Sequence, residues 1–309
     1  MSTPETRSRA ESELVRQAEP IGLAGTKPTA GAGASRSARI AVLIICVAWM
    51  IPAFGLFVSS FRSADAVSTT GWWTSLYRFW DLDQWTLENY ADVLGGDMGT
   101  AFVNSLVVAI PSTIIPILIA AFAAYAFSWM RFPGREALFV LVVGLLVVPL
   151  HVAFIPLLRI FGSLGMSGTF ASLWLAHTGF GMPLAVYGLR NYMSSLPSEV
   201  VESAKVDGAS HYQIFWRLMV PLSVPALAAF AIFQFLWTWN DLLVALVFLG
   251  TTEDVQVVTV ALQNLIGSRG QDWHVLTAAA FVTMSVPLIV FFSLQRYVVR
   301  GLTAGSVKG

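Results

Sequence analysis

The sequence predicts an all-α, polytopic membrane protein with six transmembrane helices, and three observations carry that reading. The 309 residues are 56% hydrophobic and only 12% charged, and the mean hydropathy is +0.70, well outside the balance of a water-soluble domain. Six apolar stretches, at 40–61, 102–127, 137–158, 171–192, 222–249 and 276–297, each come near the roughly 20 helical residues needed to cross a hydrocarbon core. The basic residues fall in alternate connections, as the positive-inside rule requires.

Residues 1–39 form a polar tail rich in Ala, Gly, Ser, Thr and Arg, and disorder is expected there. The tail is too long and too acidic for a signal peptide and no A-x-A site follows the first run, so that run is read as a retained span. It contains Cys46, the single cysteine, which has no internal disulfide partner and is expected to pack between helices. Prolines 52, 111, 116, 149, 156, 183 and 287 interrupt the spans, which is tolerated where neighbours satisfy the carbonyls they free.

With the N-terminus in the cytoplasm, all the basic residues but Arg62, Arg78, Arg159 and Arg269 lie inside, so both termini are expected there in a cell or inner membrane. The division follows as a cytoplasmic tail 1–39, a membrane domain 40–301 with a cytoplasmic loop 193–221, and a cytoplasmic tail 302–309. The first outer loop, 62–101, carries Trp72, Trp73, Tyr77, Trp80, Trp85 and Tyr90 among acids. These aromatics read either as an interfacial belt or as a docking surface for an extracellular protein.

The inner loop contains LPSEVVESAKVDGASHYQIFWRLMVP, which reads as two short helices joined at a glycine. Ser198 is expected to cap the first helix, with Glu199 and Glu202 in its early turns and Gly208 in a left-handed C-terminal position. Ser210 and Gln213 have the spacing of a capping box at the start of the second. Tyr212, Phe215, Trp216 and Met219 are expected to lie at the membrane interface until Pro221 turns the chain into the fifth span.

This stretch resembles the EAA loop of ABC importer membrane subunits, which runs E-A-A, three residues, G, nine residues, I-x-L-P. Glu202-Ser203-Ala204, Gly208 and Leu218-Met219-Val220-Pro221 keep every spacing, with Ser203, Leu218 and Val220 as departures. The resemblance implies the type I importer permease fold and a coupling helix that enters a cleft on an ATP-binding subunit. It assigns the contact to Glu202, Ser203, Ala204, Asp207, Gly208 and Pro221. ENYADVL, AFVNSLVVA, AAYAFSWMRFPGR and the ending QRYVVRGLTAGSVKG are similar to the carbohydrate-uptake branch, the second membrane subunit of the maltose type. FLWTWNDLLVALVFLG and NLIGSRGQDW resemble α-glucoside permeases. The implied partners are a second permease subunit forming a heterodimer, two ATP-binding subunits, an extracytoplasmic sugar-binding protein and membrane lipid.

No G-x-x-x-x-G-K-[ST] loop occurs, so ATP hydrolysis is expected of a partner and the chain is not expected to be an enzyme. His151, His177, His211 and His274 are scattered with no ligand spacing, and neither a metal nor a cofactor is expected. The balance of 18 basic against 18 acidic residues gives no field for nucleic acid. A stand-alone secondary sugar transporter is the competing class, and it usually needs ionisable groups at the midplane. The spans hold almost none; Asp241, taken as continuing the helix from Leu222, falls near the outer surface.

For the sugar, Gln234 near the midplane of span five is a candidate, with Trp237, Trp239 and Asn240 above it and Asn104 in span two a weaker one. The alternative is that Gln234 joins helices and the tryptophans form a belt.

Overall fold

The computed structural model describes residues 35–269 and 272–305. The tail that the sequence leads us to expect as disordered falls almost wholly outside them. Contacts separate Met1–Pro52, whose described part is the beginning of the first long helix, from Ala53–Gly309, which holds every other element.

Among the described residues the regular elements are all helices, with one isolated antiparallel bridge between Arg62 and Trp85. Helix α1, Arg36–Ser60, is followed by the small helices α2 (Ala64–Thr69), α3 (Thr74–Tyr77) and α4 (Glu88–Gly95). Then come α5 (Asp97–Trp129), α6 (Arg135–Gly144), α7 (Leu150–Ser163) and α8 (Phe170–Ser194). The chain continues through α9 (Ser198–Val206), α10 (His211–Ile214), a π-helical turn at Phe215–Met219, α11 (Val220–Leu222), α12 (Val224–Trp239) and α13 (Leu243–Phe248). Helices α14 (Val258–Arg269) and α15 (Trp273–Gly305) complete it.

The six expected stretches are all helical, but not all of them are unbroken. Among the described residues three helices are long and apolar enough to cross a membrane: Arg36–Ser60, Asp97–Trp129 and Trp273–Tyr297 within α15. The third expected span is bent by 104° between Arg135–Val147 and Leu150–Ser163, and the fifth is entered through a bend of 72° between His211–Leu222 and Val224–Trp239. Counting each bent pair as one span gives five. The remaining one, α8, has 25 residues, about 37 Å of helix, but is more polar than the others. It is enclosed by neighbours, with His177, Thr178 and Ser172 buried, so its surface need not be apolar all round.

Span five also breaks a second time, after Trp239, so Asp241 does not lie on a continuous helix from Leu222. Its carboxylate instead accepts the Val244 and Ala245 N–H groups (3.3 and 2.9 Å) at the start of α13. The last helix runs to Gly305. Cys46 is exposed on α1 rather than packed.

Three of the prolines inside the spans have their freed carbonyls satisfied by neighbouring helices. A proline lacks the N–H that would bond the carbonyl four residues earlier. For Pro111, Pro116 and Pro287 those carbonyls belong to Val107, Ser112 and Thr283. Each accepts a side-chain N–H from another helix: Trp174 Nε1 to Val107 (2.9 Å), Gln234 Nε2 to Ser112 (3.2 Å) and Trp239 Nε1 to Thr283 (3.2 Å). Helices α5 and α15 are therefore stitched at their prolines to α8 and α12.

The loop 62–101 is a folded cap. Arg62 is buried and donates to the carbonyl oxygens of Ala66 (2.8 Å) and Thr70 (3.2 Å), where a cation complements a helix C-terminus. Asn89 Nδ2 donates to the carbonyls of Ser60 and Arg62, both at 2.9 Å. The six aromatics divide accordingly: Trp72, Trp85 and Tyr90 are partly covered, whereas Trp73, Tyr77 and Trp80 are exposed.

Candidate functional site

The short helix α9 is rooted chiefly by Val201, its one fully buried residue, with Ala204 packed beside it. Val201 is buried among Ala124 and Tyr125 of α5, Leu189 and Met193 of α8, and Ile214 and Phe215 beyond the glycine. Alanines 120, 121 and 124 let α5 approach Ala185 and Val186 of α8 closely beneath it. The same core takes Phe215 and Met219, which therefore do not lie at the interface; Tyr212 and Trp216 remain outside, because a helix face can turn only one side inward. Tyr125 Oη and His211 Nδ1 add a hydrogen bond of 2.8 Å between α5 and α10.

Both helix ends are closed by local chemistry. Ala209 N–H donates to Ala204 O (2.9 Å) and Gly208 N–H to Lys205 O (3.0 Å), the bond pair of a Schellman stop, with Gly208 at φ +81°. Ser210 N–H donates to Gln213 Oε1 (2.9 Å) and Gln213 N–H to Ser210 Oγ (3.3 Å), completing the capping box. Ser198 does not cap α9. Pro197 occupies that position and Ser198 is the first helical residue, with no side-chain cap bond. Ser210→Ala should cost about 1 kcal/mol locally and speed exchange of the Gln213 amide about fivefold by hydrogen exchange; unchanged exchange would remove the cap's role.

Of the residues assigned to coupling, Glu202, Ser203, Asp207 and Gly208 are exposed and Ala204 is half-buried. Ala204, Asp207 and Gly208 line a hollow of about 370 Å³ together with Gln213, Ile214 and Arg217. Pro221 is exposed but lies outside that hollow, just before the bend at Ser223. Gln213 and Arg217, which the sequence reading did not assign to coupling, thus join the same surface.

The candidate sugar residues fall in different places. Gln234 is wholly buried; its Nε2 donates to the carbonyls of Ser112 (3.2 Å) and His177 (3.3 Å), so it joins α12 to α5 and α8. Asn104 Nδ2 donates to the carbonyls of Asp254 (3.0 Å) and Gln256 (3.1 Å), which commits its amide N–H groups to a loop. Asn240 is exposed and bonds Leu236 O (2.7 Å) on its own helix. Trp237 lines a cavity of about 640 Å³ between the bent α6/α7 pair, α8 and α12. Apart from that indole the cavity wall is apolar, with Phe180, Gly181, Phe233 and Pro149 among it.

Behind Gly181 lies a polar seam. Gln234, Thr238 and Asp241 follow each other at helical spacings on α12 and the turn after it, and His177, Thr178 and Gly181 share a face of α8. Ser112 Oγ, His177 Nδ1, Thr178 Oγ1, Gln234 Oε1 and Thr238 Oγ1 are buried without a hydrogen-bond partner among the described residues. Each such group costs about 1–3 kcal/mol. His177 Nε2 is 3.8 Å from Asp241 Oδ2, and its ring meets Trp237 edge-on at 5.4 Å. Prolines at 111 and 116 and a glycine at 181 were the available signals for this seam.

Residues 116–304 match the family described as the binding-protein-dependent transport system inner membrane component. The chain belongs to that family. As an inner membrane component it spans the membrane within a transport system that depends on a binding protein, which sets aside the stand-alone transporter. It is 60% identical over 271 residues to the osmoprotective compounds uptake permease protein GgtD of Synechocystis sp., covering 87% of this chain and 91% of that one. It is 63% identical over 232 residues to the alpha-glucoside transport system permease protein AglG of Rhizobium meliloti, covering 73% of this chain and 61% of that one. A chain of a bacterial ABC transporter involved in the import of the acidic polysaccharide alginate has the same fold, with a TM-score of 0.68 at 22% identity, covering 86% and 99% of the two chains. The matched inner-membrane-component region holds α8 through α12, and with them the short helix and most of the seam.

Proposed function

We propose that the chain is one of two related membrane subunits of an ATP-driven importer for neutral α-glucosides. Two ATP-binding subunits supply the work and an extracytoplasmic binding protein delivers the sugar. The observation that carries the coupling role is α9 itself: a helix stopped and restarted by local bonds, anchored by Val201 in the α5/α8 core, with Glu202, Asp207 and Gly208 left exposed. A docked ATPase moving this helix moves the core with it.

The sugar class rests on the relative named for α-glucosides, and the one named for osmoprotective compounds is compatible with it. A neutral, hydroxyl-rich glycoside satisfies both descriptions. The distribution of Lys and Arg supports an orientation with 1–39, 193–221 and 302–309 in the cytoplasm and 40–301 as the membrane domain. Glu202, Ser203, Ala204, Asp207, Gly208 and Pro221 keep the coupling role, and Gln234 and Trp237 the sugar-facing one; Asn104 and Asn240 are less suited, being committed to local bonds.

The test is uptake by the intact complex in proteoliposomes with its binding protein, across maltose, trehalose, sucrose and glycine betaine. ATP-dependent uptake of at least one α-glucoside, resistant to a proton uncoupler, is expected. Uptake of glycine betaine alone, or abolition by the uncoupler with ATP present, refutes the proposal.

A further inference from the structure

The buried seam and the neighbouring cavity share a wall. Gly181 lines the cavity and also meets Gln234: a Cβ on Gly181 would come within 2.4 Å of Gln234 Oε1. On the cavity side stand the aromatic faces of Phe180, Phe233 and Trp237, with no hydroxyl or amide side chain. On the seam side, each at most 8% exposed, stand five polar atoms without a partner among the described residues, on Ser112, His177, Thr178, Gln234 and Thr238. Sugar sites combine these two kinds of surface, and here each kind lacks the other.

We infer that α12 withdraws from α8 during transport, joining seam and cavity into one chamber whose polar atoms bind the hydroxyl groups of a neutral sugar while its aromatic wall takes the ring faces. This rests on the importer reading above. The chain provides the route for the motion. Helix α12 follows directly from the segment that begins at Gly208, through the 72° bend at Ser223, so work received at α9 reaches the helix carrying Gln234 and Thr238. The cavity, about 640 Å³, is of the size that ligand sites occupy.

Thr178→Val and Thr238→Val test this in the intact complex, because each removes a hydroxyl and keeps the shape. An unpartnered hydroxyl that stays buried throughout the cycle is replaced by a methyl without loss, whereas one that binds sugar is not. The expected result is a KM for maltose raised about threefold to tenfold in each variant, with an undiminished thermal midpoint. An unchanged KM overturns the inference, as does a KM rise accompanied by a lowered midpoint. Separately, Thr238→Cys in a Cys46→Ser background should react with a membrane-impermeant maleimide faster in one of two states, nucleotide-free or trapped with ATP and vanadate. No reaction in either state overturns the inference. Failure of the unmodified complex to take up any sugar refutes the importer reading instead, and the labelling result distinguishes the two failures.

Discussion

Gly208→Val is expected to lower uptake at least about tenfold while the amount of chain in the membrane stays constant. The reason lies in the backbone. Gly208 sits at φ +81°, and nothing lies within 4 Å of where its Cβ would be, so space is not the obstacle. A β-branched residue at positive φ costs about 1–3 kcal/mol, and the chain relieves that strain by giving up the Schellman stop. Losing the stop re-aims α9, which is held chiefly by Val201 with Ala204 beside it, and displaces the capped start of the next helix. Asparagine tolerates the left-handed region better than other side chains, so Gly208→Asn should retain more uptake than valine. Uptake, immunoblotting of membranes and recovery of the ATP-binding subunit on purification check this. Full uptake by the valine variant would refute the coupling role, and equal loss in both variants would move the cause from backbone to contact surface.

Gly181→Ala should lower the thermal midpoint of the purified complex out of proportion to one methyl group. The new Cβ meets Gln234 Oε1 at 2.4 Å and both Cδ and Nε2 at 2.8 Å, and Gln234 has no exposed surface into which to retreat. Overpacking of this kind costs about 1–3 kcal/mol, to which the loss of bonds to the Ser112 and His177 carbonyls adds. Gln234→Ala alone also destabilises, by leaving a hole and the Ser112 carbonyl unpaired. The two together should be less damaging than the sum, because each supplies what the other removes. Additive losses across the double-mutant cycle would mean that the clash is absorbed elsewhere.

Local chemistry was legible in the sequence, and distant pairing was not. Gly208, Ser210 and Gln213 act on neighbours within a few residues, so their spacing alone anticipated the stop and the capping box. Ser198 misled because the preceding Pro197 takes the cap position in an extended backbone. Hydropathy ran without interruption through 137–158, which hid the bend of 104° there, whereas Pro221 marked the turn into span five, where the chain bends by 72°. The composition pointed to Gln234 as an amide in a span, but its acceptor at Ser112 is 122 residues away, and no short-range pattern encodes that meeting. Asn104 and Asn240 looked alike as amides until burial and partners separated them: one holds the loop at Asp254, the other its own helix.

The three proline stitches carry a consequence for how such chains can diverge. Proline at 116 and glutamine at 234 are two halves of one condition, as are 111 with Trp174 and 287 with Trp239. A descendant that loses Pro116 has no open carbonyl at 112, and its glutamine becomes a misfit in an oily interior; one that loses Gln234 first must live with a bare carbonyl. The two positions are therefore bound to change together, and the order in which they do so is constrained.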